Sequence, residues 1–417
     1  MESNEQAIWS VDLDYYLERY ALAEAKKAVS ESSYGVGGLL INLKTKEIIH
    51  QMHNTVIARN NDTEQLRLSD PTAHGERQLV DWYYANKTAM KLPEPSNILI
   101  ITTLDPCCMC TGSILSAGFK VIVAALDDQA GINWDNNCSF KPFGNAELQK
   151  IQQSFIYPAI EGEPKRKAFG TVPVFNQKSF LKTNVDSCFK AFVDGANVAR
   201  NIINDIVDLK DSKDIKNLEK TTPTSPIITT LKNVYPDALK YRAAEPGKPD
   251  KGLAEYLVKA AKEDKANGGD GDAVAFLDCF GNLLMCKGGK KSLSPIRTAY
   301  METIRAYQKI RYDLSTHSKD ALCYLNEPKF GSFIFVKGFD CGTQSFADLG
   351  AYGSTILGTL SNDNNLQYIT PRVPQRVLDT YISNMPPRYR SLIKPKRVLD
   401  NDLIKAVEKQ GDGGAAS

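Results

Sequence analysis

The chain has 417 residues, 42% hydrophobic and 24% charged, which fits a globular protein of two or three domains and excludes global disorder. Its net charge of +2 hides an asymmetry: residues 1–170 hold 16 Lys/Arg against 21 Asp/Glu, a balance of −5, which leaves +7 for the rest. Apolar stretches such as Asn97 to Thr102 and Val121 to Leu126 are strand-sized, so no membrane span is expected, and the acidic start Met1-Glu2-Ser3-Asn4-Glu5 does not read as a signal peptide.

Taken in order, Asp12 to Ser30 carries apolar residues at helical spacing (Leu13, Tyr16, Leu17, Tyr20, Ala21). Val36 to Leu43 and Glu47 to Gln51 read as a hairpin turning at Lys44-Thr45-Lys46. A helix over Ala73 to Tyr84, a strand over Asn97 to Thr103, a helix over Cys107 to Ala117 and a strand over Lys120 to Ala125 follow. Such alternation predicts an α/β sandwich. Between about Asp208 and Lys251 the composition turns to alternating Lys and Asp, then Thr-Thr-Pro-Thr-Ser-Pro and Glu-Pro-Gly-Lys-Pro-Asp, which is linker texture.

Beyond it the early pattern returns. A helix over Gly252 to Lys265 leads to a hairpin (Ala273 to Cys279, Leu283 to Cys286), a helix over Ser294 to Tyr312 and a strand over Ser332 to Lys337. Thr72-Ala73-His74-Gly75-Glu76 lines up with Thr298-Ala299-Tyr300-Met301-Glu302, and Leu104-Asp105-Pro106-Cys107 with Phe339-Asp340-Cys341-Gly342. We read this as a diverged duplication.

Nine cysteines in so long a chain make no dense disulfide framework, and three crowd into Cys107-Cys108-Met109-Cys110. That points to metal or redox chemistry in a reducing compartment, and a cytoplasmic location is expected. Upstream stands His74-Gly75-Glu76. One imidazole and two thiolates give zinc three ligands and leave a fourth position for water, whose pKa the metal lowers. A carboxylate that is not a ligand must then carry protons, and Glu76 fits. Pro106 suits a helix start, where free N–H groups stabilise thiolates, and Cys107 and Cys110 fall on one side of that turn. The spacing of His74 and Glu76 has no such explanation, because i and i+2 do not share a helix face.

Asn54-Thr55-Val56-Ile57, Asp70-Pro71-Thr72-Ala73-His74-Gly75-Glu76 and Thr103-Leu104-Asp105-Pro106-Cys107-Cys108-Met109-Cys110 resemble the cytidine deaminase-like superfamily. The nearest branch is that of tRNA adenosine deaminases, guanine deaminases and fungal cytosine deaminases. The resemblance covers about residues 10–160 and implies a three-layer α/β/α sandwich, Zn2+ on His74, Cys107 and Cys110, and Glu76 as proton shuttle. It further implies that Asn54 hydrogen-bonds the base, that backbone at Ala73 and near Asp105 reads its edge, and that Asp135 is a candidate acidic substrate contact. Gly75 stands where alanine is usual, and Asn60 to Leu68 reads as an insertion.

With the duplication, this predicts the sandwich twice: a catalytic domain over 1–165, a helical extension and linker over 166–250, a degenerate copy over 251–370 and a basic tail over 371–417. Tyr300, Gly342 and Ser345 stand where the first copy has its ligands, so the second copy is expected to hold no metal and to act as a packing partner within the chain, a homodimer being the other arrangement. His50 and His53 read as structural residues. Pro386-Pro387-Arg388-Tyr389-Arg390 through Lys394-Pro395-Lys396-Arg397 mixes bases with an aromatic, as RNA contact requires, but reads first as a solvated tail. The function expected is hydrolytic deamination of a small nucleobase or nucleoside, with release of ammonia. The alternatives are adenosine-to-inosine editing of tRNA and a zinc-stabilised binding module without catalysis.

Overall fold

The computed structural model of the chain describes residues 12–60, 64–133, 139–163, 166, 168–206, 215–316 and 320–412. It divides into two compact units. The first comprises residues 1–59, 72–203 and 381–390; the second comprises 60–71, 204–380 and 391–417.

The first unit is built on a sheet of five strands: β1 (Gly37–Asn42), β2 (Ile48–His53), β3 (Ile98–Leu104), β4 (Lys120–Ala125) and β5 (Phe155–Ile156), in the order 2-1-3-4-5. β1 runs antiparallel to β2 and β3, whereas β3, β4 and β5 are parallel. The central strands read as near-continuous apolar runs because both faces are covered: every residue of β3 is buried, as is all of β4 beyond Lys120. One face meets the N-terminal helix, which starts at Asp12, whose carboxylate accepts the Tyr15 N–H, and runs with a π turn at Leu17–Ala21 to Ser30. Helix Gly75–Asn86 packs on β1 and β2 and against helix Cys108–Ala117. The latter ends at Gly118, whose φ of 74° suits glycine at a helix C-terminus. His53 lies between the carboxylates of Glu24 and Glu31, and His50 stacks on Trp82, so both are structural as expected.

The second unit repeats the plan. β6 (Ala273–Leu277), β7 (Leu283–Gly288), β8 (Ser332–Lys337), β9 (Leu366–Thr370) and β10 (Lys396–Arg397) form a sheet of order 7-6-8-9-10. β6 is antiparallel to β7 and β8, and the remaining neighbours are parallel. Both sheets therefore share order and sense at every interface, consistent with two deaminase-like α/β folds in one chain. Helix Ala299–Ser315 begins five residues later than the periodicity suggests. Pro295 lies in the turn before it, and Thr298 is the true cap, accepting the Met301 N–H.

The basic C-terminal stretch is not the solvated tail expected of it. It supplies β10 and helix Asn401–Asp412, and Tyr389 is buried. Among the described residues no helix is long and apolar enough to cross a membrane.

Gly37 shows how closely helix and sheet approach in the first unit. A Cβ there would lie 2.4 Å from both the Ala21 carbonyl oxygen and the Ala25 nitrogen, atoms of backbone that cannot swing aside. Gly37→Ala should therefore destabilise the protein by about 1–3 kcal/mol, as overpacking does, read as a fall in the urea midpoint at unchanged m-value.

Candidate metal centre

Two helix starts converge at the C-terminal end of β3. His74 is the N-cap of helix Gly75–Asn86, with extended φ and ψ of −78° and 146°, and Cys107 is the N-cap of helix Cys108–Ala117, at −65° and 172°. Cys110 lies one turn into the second helix. This arrangement explains the His-x-Glu spacing that periodicity leaves unaccounted for. His74 is not on the helix; it precedes it in extended backbone, while Glu76 is in the first turn, so two residues two apart face one point.

His74 Nδ1 lies 3.5 Å from Cys107 Sγ, and one ligand atom from each of His74, Cys107 and Cys110 falls within 4.8 Å of the others. Tetrahedral zinc with ordinary Zn–N and Zn–S bonds separates such a nitrogen and sulfur by about 3.6 Å, so the three donors fit the ion. Among the described residues this is the one cluster of three or more His, Cys, Asp or Glu side chains that could hold a metal. A hydrogen bond from the Cys110 thiol holds Cys107 well below the usual thiol range, against burial and with help from His74. Both thiols also sit at a helix N-terminus, where the positive end of the dipole favours thiolate. Zinc is the cofactor that this donor set takes.

Glu76 is 3% exposed, and its carboxylate accepts the Thr102 hydroxyl at 2.9 Å while also hydrogen-bonding with Cys110. Burial first, and the charge on Cys107 second, push its pKa up. Thr102, in β3, was not singled out from sequence. Its signal is a hydroxyl pair, Thr102-Thr103, at the motif end of an otherwise apolar strand.

The remaining candidates differ in place. Asn54 is buried, and its side-chain oxygen accepts the Gly75 N–H at 2.6 Å, between His74 and Glu76 in sequence. The Ala73 carbonyl is engaged by the Thr55 N–H at 2.9 Å and by Gln78 at 3.0 Å. Asp105 turns its side chain into a scaffold: it accepts the Tyr157 hydroxyl at 2.8 Å and the Asn133 N–H at 2.6 Å, and burial lifts its pKa to about 8. That scaffold draws the 127–133 loop over the metal ligands. Gly131 bridges to Cys107, and a Cβ on it would meet an Asp105 carboxylate oxygen at 2.5 Å. Asp135 lies outside the described residues.

Purified protein should carry one equivalent of zinc per chain by elemental analysis, and Cys107→Ser or His74→Ala should lower it sharply. Two tightly held equivalents would show a second site in the other unit.

Residues 12–126 match the cytidine and deoxycytidylate deaminase zinc-binding region. A cytosine deaminase of Candida albicans is 33% identical over 105 residues, 25% of this chain and 59% of that protein. A tRNA-specific adenosine deaminase of Haemophilus influenzae is 32% identical over 117 residues, 28% of this chain and 60% of that protein. The chain thus spans less than two thirds of the length of these curated relatives. Among solved structures, a guanine deaminase of Nitrosomonas europaea aligns over 45% of this chain and 86% of its own, at 13% identity and a TM-score of 0.28. A structure from work on A-to-I editing by tRNA deaminases aligns over 28% of this chain and 79% of its own, at 24% identity and a TM-score of 0.22. The stretch that gathers His74, Cys107 and Cys110 at two helix starts is a cytidine and deoxycytidylate deaminase zinc-binding region.

Proposed function

We propose that the chain is a hydrolytic deaminase of a nucleobase or nucleoside, replacing an exocyclic amine on an amidine carbon by oxygen and releasing ammonia. One observation carries the reading: a buried carboxyl, Glu76, is held by Thr102 against the metal ligands with its pKa raised, without being needed as a ligand itself. When bound, zinc supplies water of lowered pKa as a nucleophile near neutrality.

The chain's own residues do the rest. Glu76 takes one proton from the attacking water as the C–O bond forms and passes it to the ring nitrogen. It then takes the second proton from the added hydroxyl and gives it to the departing amine, so that the C–N bond breaks, ammonia leaves and the carbonyl forms. A raised pKa suits that work, because a carboxyl must both accept and release protons near neutral pH. Thr102 fixes its rotamer by hydrogen bonding. Asn54, whose side-chain oxygen accepts the Gly75 N–H at the start of the Glu76 helix, is the residue we assign to hydrogen-bond the base, and backbone at Ala73 and near Asp105 is assigned to read its edge. Asp135 is a further candidate for an acidic contact to the substrate.

A second reading, adenosine-to-inosine editing of tRNA, is supported by the relative named for that activity and by the +7 balance beyond residue 170. The two readings separate in one assay: ammonia release from free bases, nucleosides, nucleotides and tRNA. Action on tRNA should weaken steeply with salt, whereas action on a free base should not.

Glu76→Gln should keep zinc and fold while kcat on the true substrate falls by about 10²–10⁴-fold, the usual contribution of a positioned proton carrier. Near-normal turnover in that variant would refute the mechanism. Glu302→Gln should leave turnover unchanged.

A further inference from the structure

The segment Tyr381–Arg390 lies in sequence between β9 and β10, both strands of the second sheet, yet it packs with the first unit. It is pinned there at several points. Tyr381 meets Phe143 edge to face with ring centroids 6.4 Å apart, and Met385 is fully buried. The Arg388 N–H donates to the Gln129 carbonyl at 3.0 Å, and the Arg388 charge acts on the Asp127 carboxyl. Asp127 in turn accepts the N–H groups of Gln129 and Ala130, so the segment is fastened to the loop that bridges to Cys107 through Gly131. The short helix Pro387–Arg390 is closed by the Tyr389 N–H on the Pro386 carbonyl, and Arg390 Nε donates to the Met385 carbonyl at 2.6 Å. This leaves the Tyr389 ring 1% exposed, with its hydroxyl in hydrogen-bonding reach of the Cys107 sulfur and close to Cys108.

We propose that Tyr389 is a positioning residue of the zinc centre: its phenolic O–H donates a hydrogen bond to the Cys107 thiolate and so sets how tightly that sulfur holds the metal. A buried phenol needs a partner, and a thiolate ligand has lone pairs to spare beyond the one it gives to zinc. Donation fixes the direction of the sulfur and offsets part of the negative charge buried on it, which keeps Cys107 in place as a ligand, as outer-shell partners orient metal ligands generally. The site that residues 12–126 encode is thereby completed by a side chain encoded after nearly the whole second sheet. That dependence explains why a proline-rich basic stretch carries one fully buried aromatic in its midst.

The test is Tyr389→Phe in the full-length chain, which keeps the ring and removes only the donor. Zinc release to a chelator should quicken about 10-fold, the lower end of the effect of losing an outer-shell partner. In the Co2+-substituted protein the thiolate-to-metal charge-transfer band should move to lower energy, because a sulfur freed of a hydrogen bond gives up electrons more readily. Tyr381→Phe, which removes a hydroxyl from the same segment while keeping the ring on Phe143, should change neither. Wild-type release and an unshifted band in Tyr389→Phe overturn the proposal, as does equal loosening in both variants, which would mark the segment as packing alone. The inference rests on the zinc site and not on the substrate. A chain that deaminates nothing in the panel yet shows the Tyr389→Phe effects refutes the proposed function and upholds the inference; unaltered zinc release beside normal turnover does the reverse.

Discussion

Everything chemical in this protein depends on two helices beginning at the same place. A helix start leaves backbone N–H groups without carbonyl partners, and their positive end stabilises whatever negative charge is set against it. Here His74 and Cys107 occupy the two cap positions and Cys110 lies a turn further in. Cys107, which burial alone would neutralise, is held charged by a hydrogen bond from the Cys110 thiol and by the neighbouring imidazole, whereas burial and the charge on Cys107 push the Cys110 thiol up. Strand direction brings the two starts together: β2 and β3 both run antiparallel to β1, so the connection from β2 to β3, which carries helix Gly75–Asn86, and the connection from β3 to β4, which carries helix Cys108–Ala117, leave the sheet at the same end.

Around those caps the first unit spends its buried polarity on orientation. Asp105 is too deep to serve as an ordinary carboxylate, and its oxygens are taken by Tyr157 and by the backbone at Asn133. What they hold is the 127–133 loop, and on that loop the Tyr381–Arg390 segment is fastened through Gln129. Metal ligands, loop and distant segment thus form one connected arrangement in which each part fixes the next.

Around the second sheet the described residues gather no comparable set of ligands. By cap position His74 corresponds to Thr298, whose hydroxyl bonds the half-buried Asp348 carboxyl at 2.5 Å, and Tyr300 then lies two residues into the helix, packed among Phe333, Phe335 and Tyr352. Glu302 is buried too, but Arg297 grips both its oxygens at 2.7 and 2.9 Å and Lys290 approaches at 3.4 Å. Although burial pushes its pKa up, those cations hold it below the usual carboxylate range. Two carboxyls near equivalent helix starts therefore meet opposite fates. Burial raises the pKa of Glu76, which suits the proton transfer proposed for it, whereas Glu302 is held as an ion-pair partner with its pKa lowered.

The sequence by itself determined the α/β class, the repeat of the pattern after residue 250 and the identity of the metal ligands. Those features are local: strand and helix periods, a proline before a cysteine pair three apart, and a histidine near a carboxyl are all legible within a few residues. What the tertiary structure alone decided was every relation between distant segments. It placed His74 outside its helix, which reconciles a spacing that a helical reading could not. It gave Glu76 its partner in Thr102, turned the Asp105 side chain to a scaffold, and moved the start of the Ala299 helix to the cap at Thr298. It also carried Tyr389 from a stretch that composition marks as solvated to the side of Cys107. Periodicity records which face of an element is buried but not what it is buried against, and a hydrogen bond between residues 107 and 389 leaves no mark on either local pattern.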